Sequence, residues 1–140
     1  MYIDEICSGI YTLLPQFKLE KFDGIDDMII SQKGIEVNTL CKHHFLPVLC
    51  KVDIYYKPKK GIIGLSKLNR IAEYHGRRPI VQELLTQNIL HEVIGQTCCD
   101  DVAVLIKGQH LCVKLRGVKH SDCTMTTELY SGQLQKNMII

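Results

Sequence analysis

The stretch CKHHF, residues 41–45, sets a cysteine against two histidines. Cys41 and His44 stand three apart, a spacing at which a thiolate and an imidazole can reach one metal ion. Two donors do not make a stable zinc site, so a third must come from elsewhere. Cys112, in the stretch QHLC, is the candidate, and a strand there would put His110 and Cys112 on the same face. Cys41, His44 and Cys112 would offer Zn2+ two thiolates and one imidazole. Three protein donors leave the fourth position to water, which is the arrangement of catalytic zinc. The competing reading makes Cys112 a core thiol and Cys41 a chance neighbour. Other metal motifs fail: His91-Glu92 lacks the second histidine of H-E-x-x-H, and no P-C-x-x-C is present.

His43 and His110 then stand beside the metal. Imidazole is the side chain best matched to proton transfer near neutral pH, so this pair is the candidate acid and base. His75, His91 and His120 read as structural. A second constellation is GLSKLNR, residues 64–70. Ser66 falls at an expected helix start, where free N–H groups and the helix dipole favour anions, and Lys67 and Arg70 share a face three residues apart. Arg116, on an expected strand with His110 and Cys112, adds a cation. Together they suggest a phosphorylated substrate; the alternative is an ordinary capped helix with a solvated basic face. In VQE, residues 81–83, Glu83 could simply be a favourable charge at a helix N-terminus. It could equally accept from two adjacent ring donors, such as N1–H and the exocyclic amine of guanine.

Elements must carry these residues. A short helix is expected over residues 1–10, ended by Gly9, and a strand over Met28–Leu40. Val48–Tyr56 alternates clearly, with Val48, Cys50, Val52 and Ile54 on one face. Lys57–Gly61 is its turn. A helix is expected over Ser66–Arg78, and a second one from Pro79 to Gly95 with Val81, Leu84, Leu85, Ile89, Val93 and Ile94 on one stripe. Strands over Asp101–Arg116 and Asp122–Tyr130 close the chain. This is an α+β layout with both helices on one face of an antiparallel sheet. Its long open edges call for covering or pairing, which oligomerisation would supply.

A chain of 140 residues is one domain's worth, and its charged fraction of 23% is ordinary. A formal charge of +2 argues for neither a nucleic-acid nor a membrane partner. No apolar run approaches a membrane span, and acids stand in the N-terminal segment where a signal peptide needs bases, so the expected location is cytoplasmic. Seven cysteines, an odd count, fit free thiols in a reducing compartment better than a disulfide framework. Cys7, Cys50, Cys98, Cys99 and Cys123 read as bystanders.

Three long stretches carry a resemblance: CKHHFLP, IIGLSKLNRIAEYHGRRPIVQELLTQNI and QHLCVKLRGV. In this order they closely resemble the signature stretches of the zinc-dependent GTP cyclohydrolase I family, over roughly residues 1–131. The resemblance implies a tunnelling fold, in which sheets of several subunits join edge to edge into a barrel. It implies a homo-oligomer, usually a decamer of two pentameric rings, with sites at subunit interfaces. It implies Cys41, His44 and Cys112 as zinc ligands and Glu83 as the anchor of the guanine ring, with Gln82 beside it. Ser66, Lys67, Arg70 and Arg116 would line a triphosphate pocket, with Ser66 counted among the catalytic groups alongside His43 and His110. The implied reaction converts GTP and water to 7,8-dihydroneopterin triphosphate and formate.

Two departures accompany it. The family's longer N-terminal helical region, with basic residues that help hold the triphosphate, has no counterpart in these 140 residues. The family's further helix after Gly132 is also missing. The resemblance therefore implies a compact or shortened member, and two readings follow: a zinc hydrolase acting on GTP, or a non-catalytic purine- or pterin-binding or assembly protein that keeps the fold. The intact set of ligands and histidines separates them in favour of the enzyme.

Overall fold

The computed structural model describes residues 2–21, 24, 27–114 and 123–139. Its centre is a four-stranded antiparallel sheet of order β2-β3-β5-β6. Strand β2 (Ile30–Leu40) pairs with β3 (Pro47–Tyr56), running from Ile30↔Tyr56 to Leu40↔Pro47. Strand β5 (Val102–His110) lies on the other side of β3, from Tyr56↔Val102 to Val48↔His110. Strand β6 (Met125–Tyr130) closes the sheet against β5. A small separate ladder joins β1 (Leu19–Glu20) to β4 (Ile62–Ile63). At the N-terminus α1 (Tyr2–Ile6) is followed by a 3-10 turn over Ser8–Ile10.

Alternation in β3 does what its period dictates: Val48, Cys50, Val52, Ile54 and Tyr56 are buried on one face. Helices α2 (Leu65–Gly76) and α3 (Gln82–Thr97) cover that face. Leu68, Ile71 and Ala72 of α2 and Leu85, Ile89 and Val93 of α3 form one core with the strands. Both helices therefore lie on one side, as expected. The opposite face carries a smaller cluster of Tyr55, Ala103 and Leu134.

Several boundaries differ from expectation. The long strand to Arg116 stops at His110 and the chain turns into α4 (Leu111–Lys114). The reason lies in its partner: β3 begins at Pro47, which has no N–H to extend the ladder past Val48↔His110. His110 and Cys112 therefore do not share a strand face. Helix α3 starts at Gln82 rather than Pro79, because Ile80 N–H bonds to Leu40 O (3.0 Å) and Pro79 bridges to Leu40 in extended form. It also continues through Gly95 to Thr97, where Cys98 takes the left-handed conformation at φ 54°. Gln96 explains the extension: its amide holds Phe17 N–H (2.9 Å) and Pro15 O (3.0 Å), contacts that outweigh the weak helix preference of one glycine. Gly9 lies inside the 3-10 turn instead of ending a helix.

Gly76 lets α2 reach the sheet, since a methyl group there would collide with the Val37 side chain of β2, itself 2% exposed. Glycine to alanine in a helix ordinarily stabilises; here the sign reverses. Gly76→Ala is expected to cost about 1–3 kcal/mol in urea unfolding. Val37→Ala in the same chain should recover part of that loss, and strict additivity of the two changes would contradict the close approach.

Candidate metal centre

Three segments meet at one end of the sheet. The first is the connection between β2 and β3, residues 41–46, which reverses the chain in a tight turn. Cys41 N–H bonds to Leu46 O (2.9 Å), Phe45 N–H bonds to Cys41 O (2.8 Å), and Phe45 adopts φ 55°. The second is the end of β5 with the helical turn of α4, which brings Cys112 back beside His110. The third is the N-terminus of α3, tied to Leu40 through Pro79 and Ile80.

Among the described residues these segments bring together one group able to hold a metal ion: Cys41, His110 and Cys112, with donor atoms within 4.8 Å of one another. Cys41 is buried and Cys112 half-buried, and all seven cysteines are free thiols. Two sulfurs and one imidazole are a donor set that suits Zn2+. His44 stands at the edge of this group, exposed, with Nδ1 3.9 Å from Cys41 Sγ. His43 is exposed too, its ring edge-on to His44 with centroids 6.3 Å apart.

The placement of His110 is the least expected feature of the site. Its Nε2 lies 2.8 Å from Gln82 Oε1, a side chain only 3% exposed. Burial lowers its pKa, and the nearby charge of Glu83 opposes that shift, so the ring stays neutral near pH 7. Glu83 itself is exposed in the first turn of α3 and, among the described residues, makes no ion pair. Burial pushes the bystander Cys50 up to about 12 and keeps it a thiol.

The basic cluster lies elsewhere. Ser66 and Arg70 are exposed and Lys67 half-buried on the first turns of α2, whose N-cap is Gly64. Lys67 Nζ sits 5.3 Å above the Phe17 ring. Asn69 of α2 bonds to Gln32 at the start of β2, whereas Gly76 abuts Val37 near its end. Helix α2 thus runs alongside β2, and its N-terminus lies at the far end of that strand from Cys41. Eight residues of strand separate Gln32 from Leu40, roughly 25 Å. The basic cluster therefore lies toward the Gln32 end of β2 and the thiols toward its Leu40 end. Arg116 lies outside the described residues.

Supporting residues that carry no motif also surround the site. Thr86 and Thr127 form part of the buried network around Gln82, and a methyl group at Gly108 would collide with the Gln82 amide. A glycine inside a strand pattern is the sequence signal for such a close approach.

The family model described as GTP cyclohydrolase I matches residues 1–139. A GTP cyclohydrolase 1 of Actinobacillus pleuropneumoniae serotype 5b is 40% identical over 136 residues, covering 94% of this chain and 61% of that protein. One from Blochmanniella pennsylvanica is 38% identical over 138 residues, covering 98% and 62%. The chain thus spans about three fifths of the length of the curated relatives it matches. Among solved structures, that of the archaeosine synthase QueF-Like in the apo form superposes with a TM-score of 0.59. It is 15% identical and covers 77% of this chain and 95% of that one. The shared architecture is the α+β tunnelling fold.

Proposed function

Because the chain belongs to the GTP cyclohydrolase I family, we propose that it is a single catalytic domain of a zinc-dependent hydrolase converting GTP to 7,8-dihydroneopterin triphosphate and formate. The observation that carries this reading is the meeting of Cys41, His110 and Cys112 beside the helix turn that bears Glu83. Cys41 and Cys112 would hold the ion as thiolates, with His44 completing the set from its place beside Cys41. Zn2+, when bound, supplies the Lewis acidity that makes water acidic enough to attack C8 of the purine near neutral pH.

The chain's own groups account for the rest. The Glu83 carboxylate, free at its helix N-terminus, accepts from N1–H and the exocyclic amine of guanine and so fixes the ring. His110, kept neutral by burial, would take a proton from the attacking water and protonate N7 as the C8–O bond forms; ring opening then breaks the C8–N9 bond, a proton passing to N9 and the formyl group staying on N7. His43, exposed and edge-on to His44, serves as a second acid and base. Two hydrolytic steps consume two waters and release formate; rearrangement of the ribose and ring closure return one water. One water is therefore consumed overall.

Ser66, Lys67, Arg70 and Arg116 serve the triphosphate. Since the cluster on α2 lies toward the end of β2 opposite Cys41, those side chains would act on a site formed with a second copy of the chain. Strands β2 and β6, at the two edges of the sheet, are the surfaces on which copies would pair into a closed barrel. A homo-oligomer, a decamer by resemblance, follows, with GTP as substrate and no nucleic-acid or membrane partner. Among the described residues no helix is long and apolar enough to cross a membrane; the cytoplasm is the location expected from the sequence.

The direct test incubates the zinc-loaded protein with GTP and measures formate together with the fluorescence of the oxidised pterin. A folded, zinc-loaded oligomer that releases no formate would instead be a purine- or pterin-binding protein of the same fold. The shared site makes a separate prediction. Cys112→Ala and Lys67→Ala chains, each inactive alone, should regain turnover when coexpressed, because mixed oligomers contain sites with both wild-type halves. Mixed oligomers without turnover would place the whole site in one chain.

A further inference from the structure

The geometry points to Gln82 as a positioning residue that locks His110 in one tautomer, with the proton on Nε2 and the lone pair on Nδ1. The surroundings of the Gln82 amide fix which of its ends faces the ring. Its nitrogen lies 3.2 Å from Ile106 O, 3.0 Å from Met125 O and 3.1 Å from Thr127 Oγ1. Carbonyl oxygens only accept, so this end must be the NH2 group. Oε1 is then the atom facing His110 at 2.8 Å, and Oε1 cannot donate. The hydrogen between them belongs to His110 Nε2.

Nothing in the surroundings allows the amide to turn over. The hydroxyls close a ring of bonds: Thr86 donates to Gln82 O (2.9 Å), Thr127 donates to Thr86 (2.7 Å), and Gln82 donates to Thr127. Gln82 and Thr86 are each 3% exposed and Thr127 is half-buried, so the Gln82 amide itself is shielded from water. Across the strand, the missing side chain of Gly108 leaves the space that Gln82 Oε1 occupies. Reversing the amide would set its NH2 against the imidazole and its oxygen against two carbonyls, leaving buried groups unpaired at a cost of about 1–3 kcal/mol each.

The consequence concerns chemistry. A histidine whose Nε2 proton is held in place offers Nδ1 as its only acceptor. His110, grouped with Cys41 and Cys112, is therefore prepared to receive a proton at one defined atom. Gln82, whose amide hydrogen bonds are all made within the protein, acts through His110 and does not contact the purine. The last clause rests on the GTP reading; the tautomer does not.

The decisive measurement is the imidazole nitrogen spectrum of the 15N-labelled protein near neutral pH. Wild-type His110 should show a single tautomer protonated at Nε2, and Gln82→Met a mixture of both. A wild-type ring protonated at Nδ1, or a Gln82→Met ring unchanged from wild type, would overturn the assignment. With GTP, Gln82→Met should lower kcat roughly tenfold to a hundredfold at unchanged KM; a raised KM with kcat kept would make Gln82 a substrate contact instead. Should Gln82→Met fail to fold, Gly108→Ala tests the same lock, since its methyl group would push the intact amide off His110 and must also produce mixed tautomers. If the wild-type protein shows the expected tautomer yet releases no formate from GTP, the lock stands and only the GTP reading falls.

Discussion

Cys112→Ala is expected to abolish Zn2+ binding and, with it, turnover of GTP by more than about a thousandfold. Removing one of two thiolates leaves a single sulfur and an imidazole, which is too few donors to hold zinc against water. The fold should survive, because Cys112 is half-buried in a single helical turn and packs at the margin of the core. Circular dichroism should therefore match wild type while metal analysis finds no zinc. Retention of stoichiometric zinc in a folded Cys112→Ala protein would remove Cys112 from the donor set. The same assay ranks the imidazoles. His44→Ala should lose the metal, and His110→Ala should keep it while losing turnover; the reverse outcome would exchange their roles, as the position of His110 within the three-residue group allows.

Glu83→Gln should be nearly as severe for catalysis, through a different route. The carboxylate would accept two charge-assisted hydrogen bonds from the guanine edge, each worth about 1.5–3 kcal/mol. An amide at that position keeps one acceptor and turns a donor toward a donor. A loss of about 3–5 kcal/mol follows, or roughly 10²- to 10⁴-fold in kcat/KM. Stability should change little, because Glu83 is exposed and contributes only a first-turn charge worth about 0.3–1 kcal/mol. Zinc content should be untouched. Neutralising Glu83 also removes the charge that holds the His110 pKa up, so His110 should titrate lower still in the variant, visible in the pH dependence of its ring protons. An unchanged kcat/KM for GTP would eliminate Glu83 as the ring anchor.

The sheet was legible wherever one face is buried. VLCKVDIYY alternates because β3 is the inner strand under both helices, and no other period fits. The paired residues of β1 and β4 were not, because two residues per strand carry no periodicity. The end of β5 depended on Pro47, a residue more than sixty positions away in the chain, so inspection of QHLC alone extended the strand too far. His110 and Cys112 do come together, but through a helical turn rather than a shared strand face. Gln82 shows the opposite difficulty. A glutamine in the first turn of an amphipathic helix reads as surface, and only the three-dimensional convergence of Ile106, Met125 and Thr127 reveals that it is buried and fully bonded. Ser66, Lys67 and Arg70 lie together on the first turns of α2, yet the direction of that helix along β2 could not be read from its residues.

Leu40 has a neighbour on each side of the functional divide. Its backbone pairs with Pro47 across the turn that carries Cys41, and its carbonyl accepts from Ile80 just ahead of the helix that carries Glu83. The span between the group that would grip the base and the sulfurs that would grip the ion is therefore set by peptide groups, not by side chains. It behaves as a fixed ruler. The buried side chains at 40 and 80 can exchange for apolar ones of similar volume while the ruler keeps its length, provided the Ile80 N–H remains, so a proline at 80 would shift the reading without touching any residue of the site.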